Sequence, residues 1–560
     1  MRVTANGPKD QTDWQCVDWR TANRQVRNLR QRIFRASRQG DWKRVHSLQK
    51  LMLRSNSNRL LAVRRVTQTN AGRRTPGVDR VVVKTPAARG QLVDELRSYQ
   101  PWRAKPVKRV YIPKANDAQR SLGIPVVRDR ALQAMIKNAL EPSWEARFEA
   151  TSYGFRPGRG CHDAMEMVYI VATPHRQRKW VLDADIKGAF DHIDHRFLLA
   201  TIGPVPGREL IKQWLKAGYL DREVFHPTTE GTPQGGVISP LLLNIALHGM
   251  EDALGIRWST GAKGERRNRT PRALVRYADD FIVFCPTKDD AEQARRQLGR
   301  WLADRGLTLS EDKTRVVHLS EGFNFLGFHV RHYHVPAHAK TGYKLLITPS
   351  SQATRRVRER LRAEWDHLRG ANAGRVIGTL TPIIRGWVNY HRTVSASHAF
   401  NDLDYWMFHR ERQWMTHAHP TKSWAWKARR YFGQRNPTRA DHWVFGVERS
   451  GAHLPKFAWF PIIRHVMVRG TASPDDPSLR EYWEKRNRTG ATRLNCGERK
   501  IARRQAYRCQ VCRESLFNGE ELHKHHLIPR SQGGSEAYTN LAFCHLYCHQ
   551  QLHSKRTHDA

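Results

Sequence analysis

In the segment ALVRYADDFIVFC, Ala273 to Cys285, two apolar runs of strand length flank Tyr277-Ala278-Asp279-Asp280. Apolar runs split by a short polar pair read as a β-hairpin, here with adjacent acids at the tight turn. Carboxylates held side by side against packed strands repel each other and lose hydration, so they make sense where cations sit between them. The alternative is a solvated Asp-Asp turn. A second segment weighs against it: in WVLDADIKGAFDHIDH, Trp180 to His195, an apolar run leads into Asp183 and Asp185, then Phe190. This reads as a buried strand that delivers a carboxylate at its end. Nucleotidyl transfer needs such a cluster, with two divalent ions about 4 Å apart activating the attacking hydroxyl and holding the triphosphate. On that reading Asp185 and Asp279 bridge both ions and Asp280 completes the shell.

The charge balance agrees with a polyanionic partner. Lys and Arg number 96 against 52 Asp and Glu, a net charge of +44. Each phosphate that such a surface neutralises releases counterions, which gives salt-dependent binding to nucleic acid. A purely packing protein would be the simpler reading, but 18 Trp argue for buried cores as well. Cys16, Cys161 and Cys285 are scattered and read as ordinary thiols, and Cys496 is unassigned. Cys509, Cys512, Cys544 and Cys548 lie among histidines, which suggests metal rather than disulfides. No apolar run approaches the roughly 20 residues of a membrane span, and the N-terminus lacks a secretory apolar segment. The expectation is a soluble chain in a reducing, cytoplasmic compartment, with no membrane partner.

Five segments are expected. Residues 1–75 form a basic helical extension: from Arg20 to Arg74 the only acid is Asp41, and Val26, Leu29, Ile33 and Phe34, then Leu48, Leu51 and Met52, recur at helical spacing. Such helices carry one apolar stripe and a cationic outer face. Thr75 to Asp79, TPGVD, breaks the pattern. Strands and helices alternate over 76–345, with a basic loop expected between Gly255 and Arg272. Residues 346–460 are helical and rich in Arg and Trp, 461–505 form a basic linker containing the boundary signal SPDDPS, and 506–560 are rich in Cys and His.

The order of motifs resembles the reverse transcriptases of group II intron-encoded proteins. RVYIPKANDAQRSLGIP (Arg109 to Pro125) with DRALQ, then YGFRPGRGCHDA (Tyr153 to Ala164), GTPQGGVISPLLLN (Gly231 to Asn244), GLTLSEDKT (Gly306 to Thr314) and FNFLGF (Phe323 to Phe328) resemble that family's successive blocks. Ser121 stands where the family usually has Pro. The resemblance implies a right-hand polymerase with fingers and palm, a helical thumb or maturase domain, and Mg²⁺ at the acids. It implies that Lys114 and Arg120 contact template or triphosphate, that Gln234 and Gly235 floor the nucleotide pocket, and that Lys313 assists the leaving phosphate. Phe190 would be a steric gate against a 2′-hydroxyl. A core Phe and a solvated turn lysine are the plainer readings of Phe190 and Lys313. TPIIRGWVNYHR, Thr381 to Arg392, resembles the maturase region, and its interleaved Arg and aromatic residues suit RNA.

In the tail, Cys509-x-x-Cys512 has the spacing of a zinc knuckle. A matching pair near Cys548 is completed by His545 three residues before it, with Cys544 as the alternative. His549 and His553, four apart, share one helix face. With His525-His526 and Asn540 the segment resembles HNH endonucleases, which fold as a small ββα-metal unit. That resemblance makes His525, His549 and His553 ligands of a divalent ion, His526 the general base, and Asn540 the residue that orders the loop. Being compact and bringing its own zinc ligands, the tail is expected to fold autonomously. The whole is a multidomain α+β chain. Its expected partners are its intron RNA in a ribonucleoprotein, target double-stranded DNA and dNTPs. A non-catalytic RNA-binding splicing cofactor and a defence-associated reverse transcriptase are the alternatives.

Overall fold

The structure is a computed structural model that describes residues 11–97, 102–113, 119–175, 177–260, 266–336, 342–494 and 496–556. It opens on α1, Trp19–Arg38, which starts where the Asp18 carboxylate accepts the Thr21 N–H at 3.1 Å. Val26, Leu29 and Ile33 bury their stripe against the next helix, Trp42–Arg54, which turns Val45, Leu48 and Met52 inward. Leu51, expected in that stripe, is 48% exposed, because the helix period carries it past the contact face. The outer face is not simply cationic and solvated either. Arg30 is drawn inside, 2.9 Å from Glu141 and 2.7 Å from Asp475.

Strands β1, Val107–Pro113, and β2, Gln119–Ile124, form an antiparallel hairpin in which Ile112 faces Arg120. The helix α2, Val127–Glu145, follows and is buried along nearly its whole length, with the N-terminal helices on one side and the palm core on the other. α3, Cys161–Ala172, then leads to the palm sheet. The palm consists of β3, Trp180–Asp185; β4, Ala273–Tyr277; β5, Asp280–Cys285; α4, Lys288–Ala303; and β6, Arg315–His318. The strands lie in the order β6-β3-β5-β4, all antiparallel. Their apolar runs are continuous because both faces are covered. Leu182, Phe281 and Val283 pack with Ala291, Ala294 and Leu298 of α4, while Val181, Ile282 and Phe284 pack with Met165 and Val168 of α3.

The segment between Gly255 and Arg272 is not a bare loop. Trp258–Thr260 pairs antiparallel with Arg266–Asn268, and the Arg266 guanidinium lies 5.0 Å over the Trp258 ring. That cross-strand packing gives a polar segment a reason to pair. Helices Ser351–His367, Ala373–His391 and α5, Ser397–Ala418, build the helical domain around Leu361, Trp365, Leu380 and Trp414. The chain ends in β7, Leu522–His526, paired antiparallel with β8, Leu541–His545, and α6, Leu546–Arg556.

This ββα tail does not stand apart. Cys509, Cys512, Phe543, Cys544 and Cys548 share one hydrophobic core with Trp14, ahead of α1, and with Trp19, Val63 and Val66 of the N-terminal helices. Arg64 is buried between them: it donates to Glu520 at 3.1 Å and to the Cys548 sulfur at 3.2 Å, with its guanidinium 4.6 Å over Trp19. The tail, expected to fold autonomously, thus packs directly on the N-terminal helices. The acids of SPDDPS likewise act as a clamp, with Asp475 on Arg30 and Asp476 on Arg38. Among the described residues no helix is long and apolar enough to cross a membrane.

Candidate polymerase and nuclease centres

The β4–β5 hairpin closes through a two-residue turn, with Tyr277 opposite Asp280. Ala278 sits at φ +60°, which a Cβ-bearing residue adopts only under constraint. The constraint is visible. Arg276, fully buried, donates to the Ala278 carbonyl at 3.2 Å and to the Asn244 side chain at 3.1 Å, and Asn244 donates to the Gly154 carbonyl at 2.9 Å. Gly154 presses so close that a Cβ there would lie 2.4 Å from the Ala278 nitrogen. Gly154→Ala should therefore displace the turn and cut primer extension at least ~10-fold, with a loss of about 1–3 kcal/mol in stability. Activity and melting temperature measured together check this.

The turn aims its acids at the end of β3, where Asp185 stands directly opposite Asp280. Burial, then the Asp279 charge and the neighbouring Asp185, push the Asp280 carboxyl up to about 7. Burial and Asp185 also raise Asp279, with Arg120 and Lys313 pulling the other way. Lys313 Nζ lies 2.6 Å from Asp185. So much negative charge against so little compensation fits a site built for divalent cations. Asp183, two residues earlier, points elsewhere and pairs with Arg315 at 3.2 Å.

Arg120 donates to the Gln234 side chain at 3.3 Å, and Gln234 donates to Asp191 at the same distance. The Gly123 N–H donates to the Gln234 carbonyl at 2.6 Å, and a Cβ on Gly235 would lie 2.7 Å from the Gly123 carbonyl oxygen. The Pro-Gln-Gly-Gly turn thus locks onto β2 beside the acids. Phe190 is buried, its ring edge-on to Phe155 at 6.4 Å, and its carbonyl accepts the Thr232 N–H at 2.6 Å. Lys114 lies outside the described residues.

In the tail, the ring nitrogens of His525 on β7 and of His549 and His553 on α6 lie within 4.8 Å of one another. Burial and the neighbouring His553, His525 and His523 push His549 down to about 4, so it offers a neutral imidazole. His523, which the motif reading passed over, packs 5.6 Å from His549. His526 stands 3.1 Å from Glu536. Asn540 accepts the Ile528 N–H and donates to the Ile528 and Ser535 carbonyls at 2.8–3.0 Å, which ties the intervening loop.

Cys509, Cys512, His545 and Cys548 form a second cluster, all buried, with one ligand atom each within 4.8 Å of the others. His545 turns Nδ1 toward Cys512 at 3.3 Å, while Nε2 faces the Ser515 carbonyl at 3.1 Å. A carbonyl only accepts, so the proton sits on Nε2 and Nδ1 is free to ligate, the usual arrangement of a metal-bound imidazole. Cys544 lies beside this set but outside it.

Four families match along the chain. They are the N-terminal domain of reverse transcriptase over residues 14–96, reverse transcriptase (RNA-dependent DNA polymerase) over 112–330, the group II intron maturase-specific domain over 354–432, and HNH endonuclease over 509–555. Protein YkfC of Escherichia coli K12 is 38% identical over 47% of this chain and 77% of its own length. The group II intron-encoded protein LtrA of Lactococcus lactis is 32% identical over 40% of this chain and 47% of its own. A 91 kDa protein in the cob intron of Schizosaccharomyces pombe is 27% identical over 54% and 45%. The matches thus span less than half the length of the last two relatives. The four family segments follow the chain order of the N-terminal helices, the palm, the helical domain and the ββα tail. The chain belongs to the group II intron reverse transcriptase and maturase proteins that carry a C-terminal HNH endonuclease domain.

Proposed function

We propose that this chain copies RNA into DNA, assists its intron RNA in splicing, and nicks target DNA so that the freed 3′-hydroxyl primes synthesis. The observation that carries the reading is the junction of Asp185, Asp279 and Asp280 beside the Arg120–Gln234 floor. Asp185, Asp279 and Asp280 would hold two Mg²⁺, and His525, His549 and His553 a divalent ion in the nuclease. Cys509, Cys512, His545 and Cys548 would hold a structural Zn²⁺. When bound, the ions in the two catalytic sites supply Lewis acidity at the reacting phosphate and its attacking and departing oxygens.

The chain's own groups do the rest. Arg120 and Lys313 offset the triphosphate charge, and the Pro-Gln-Gly-Gly turn lets backbone approach the nucleotide. His526, oriented by Glu536, takes the proton from the attacking water. Arg and aromatic residues of the helical domain hold intron RNA in a ribonucleoprotein. Free thiols in ligand sets, and no disulfide among the described cysteines, support a reducing, cytoplasmic setting.

Primer extension by the purified full chain, on an RNA template with dNTPs and Mg²⁺, tests the polymerase reading. Extension is expected, and its absence beside intact RNA binding would return the chain to a non-catalytic splicing cofactor. The same assay reads the sugar gate. Phe190→Val should admit ribonucleotides at ~10-fold or greater relative frequency, at a cost of about 1–3 kcal/mol for the truncated ring. Unchanged discrimination in a folded variant would leave Phe190 as core alone.

A further inference from the structure

Outside the two centres, the helical domain holds a cavity of about 320 Å³ that none of the chemistry above uses. Its walls are aromatic: Phe408 on α5 and Trp443, whose rings meet edge-on at 5.8 Å. Its floor is an acid. Glu411, also on α5, is 8% exposed and, among the described residues, forms no hydrogen bond or ion pair. Its charged neighbours are engaged elsewhere, and of them only Lys456 carries the charge that could offset it. Asp404 accepts the Phe457 and Ala458 N–H groups at 2.7 and 2.9 Å, and Lys456 pairs with Asp441 at 2.8 Å. An acid this deeply buried with no protein partner costs stability, so its persistence in the wall of a cavity points to a ligand that satisfies it.

The rim identifies the kind of ligand. The cavity shares Asp404 and Lys456 with a groove that runs on to Arg439 and Trp459, where the guanidinium lies 5.5 Å over the indole. On the other side Trp443, half exposed, lies parallel to Trp424, and Arg412 stands 4.7 Å over Trp424. Cations and exposed aromatic planes at the mouth suit a phosphate backbone with unstacked bases. An acid between aromatic walls suits a flat heterocycle that carries both a donor and an acceptor. We propose that this cavity receives an unpaired nucleobase of bound RNA, stacked on Trp443 and meeting Phe408 edge-on, with its own edge hydrogen-bonded to Glu411. Burial pushes the Glu411 carboxyl up to about 8, with Lys456 only partly offsetting it, so at neutral pH it offers an O–H donor beside a carbonyl acceptor.

The inference rests on the RNA-binding reading, and the test separates the two. The full chain is titrated at fixed salt with a labelled oligo(rA) strand and with a strand of equal length and charge whose central nucleotides are abasic. Glu411→Leu should weaken oligo(rA) binding about tenfold, the scale of one two-point base contact, and leave the abasic strand unchanged. Glu411→Gln, which keeps a donor beside an acceptor, should bind as wild type does. Trp443→Ala, which alters only a half-exposed ring, should weaken oligo(rA) as Glu411→Leu does. Equal affinity of Glu411→Leu and wild type for oligo(rA), equal losses on both strands, or failure of Glu411→Gln to bind would each overturn the proposal. Wild-type chain that binds neither strand would remove the RNA-binding reading itself.

Discussion

Asp279→Ala should abolish primer extension, by three orders of magnitude or more, while RNA affinity stays at the wild-type level and the melting temperature in chelator does not fall. The first half follows from the turn: Asp279 is one of the two residues between β4 and β5, and nothing else in the hairpin can bring a carboxylate to that point. The second half follows from charge. Asp279 sits among Asp185 and Asp280, which Arg120 and Lys313 offset only in part, so its removal relieves repulsion when divalent ions are withheld. A fold that depended on this side chain would show the opposite, a lower melting temperature in chelator. RNA is held by cations spread over other surfaces, so filter binding should not register the change. Extension above background by this variant at ordinary Mg²⁺ would remove the assignment.

The acids were legible because the strands around them are apolar on both faces, an unusual setting for paired carboxylates. Arg276 was legible in principle for the same reason, as the one charge inside ALVRY, yet its role needed the structure. Only there do Asn244 and Gly154 meet it beneath the turn. The pairing of His525 with His549 and His553 could be read from helix spacing and motif order, whereas spacing only favoured His545 over Cys544, and the cluster of His545 with Cys509, Cys512 and Cys548 needed the structure. What stayed hidden was long-range. Arg64 reaches 456 residues along the chain to Glu520, and no local pattern distinguishes it from the dozens of arginines that face solvent. Glu411 was hidden for the converse reason: on a helix rich in charge, one acid facing inward looks like any other.

The contact at Arg64 changes what should happen when the tail is altered. His526→Ala removes the group proposed to accept the proton from water and should lower the nicking rate by a factor of about 10²–10⁴. It leaves His525, His549 and His553 to hold their ion, so bound metal and primer extension should match wild type. Cys509→Ser acts differently. Cys509 belongs both to the buried Cys/His cluster and to the core that includes Trp14, Trp19 and Val63. Losing that ligand should cost on the order of 4 kcal/mol, the upper range for one substitution, because structural metal supplies folding free energy. The damage should not stop at residue 506. The same core runs through Val127, Ala131 and Met135 of α2, which also packs against the palm. Cys509→Ser should therefore lower zinc content, nicking and primer extension together, with the last falling several-fold. The three readouts measured side by side decide between one body and two. Full primer extension by a zinc-depleted Cys509→Ser chain would mean that the tail folds, and fails, on its own.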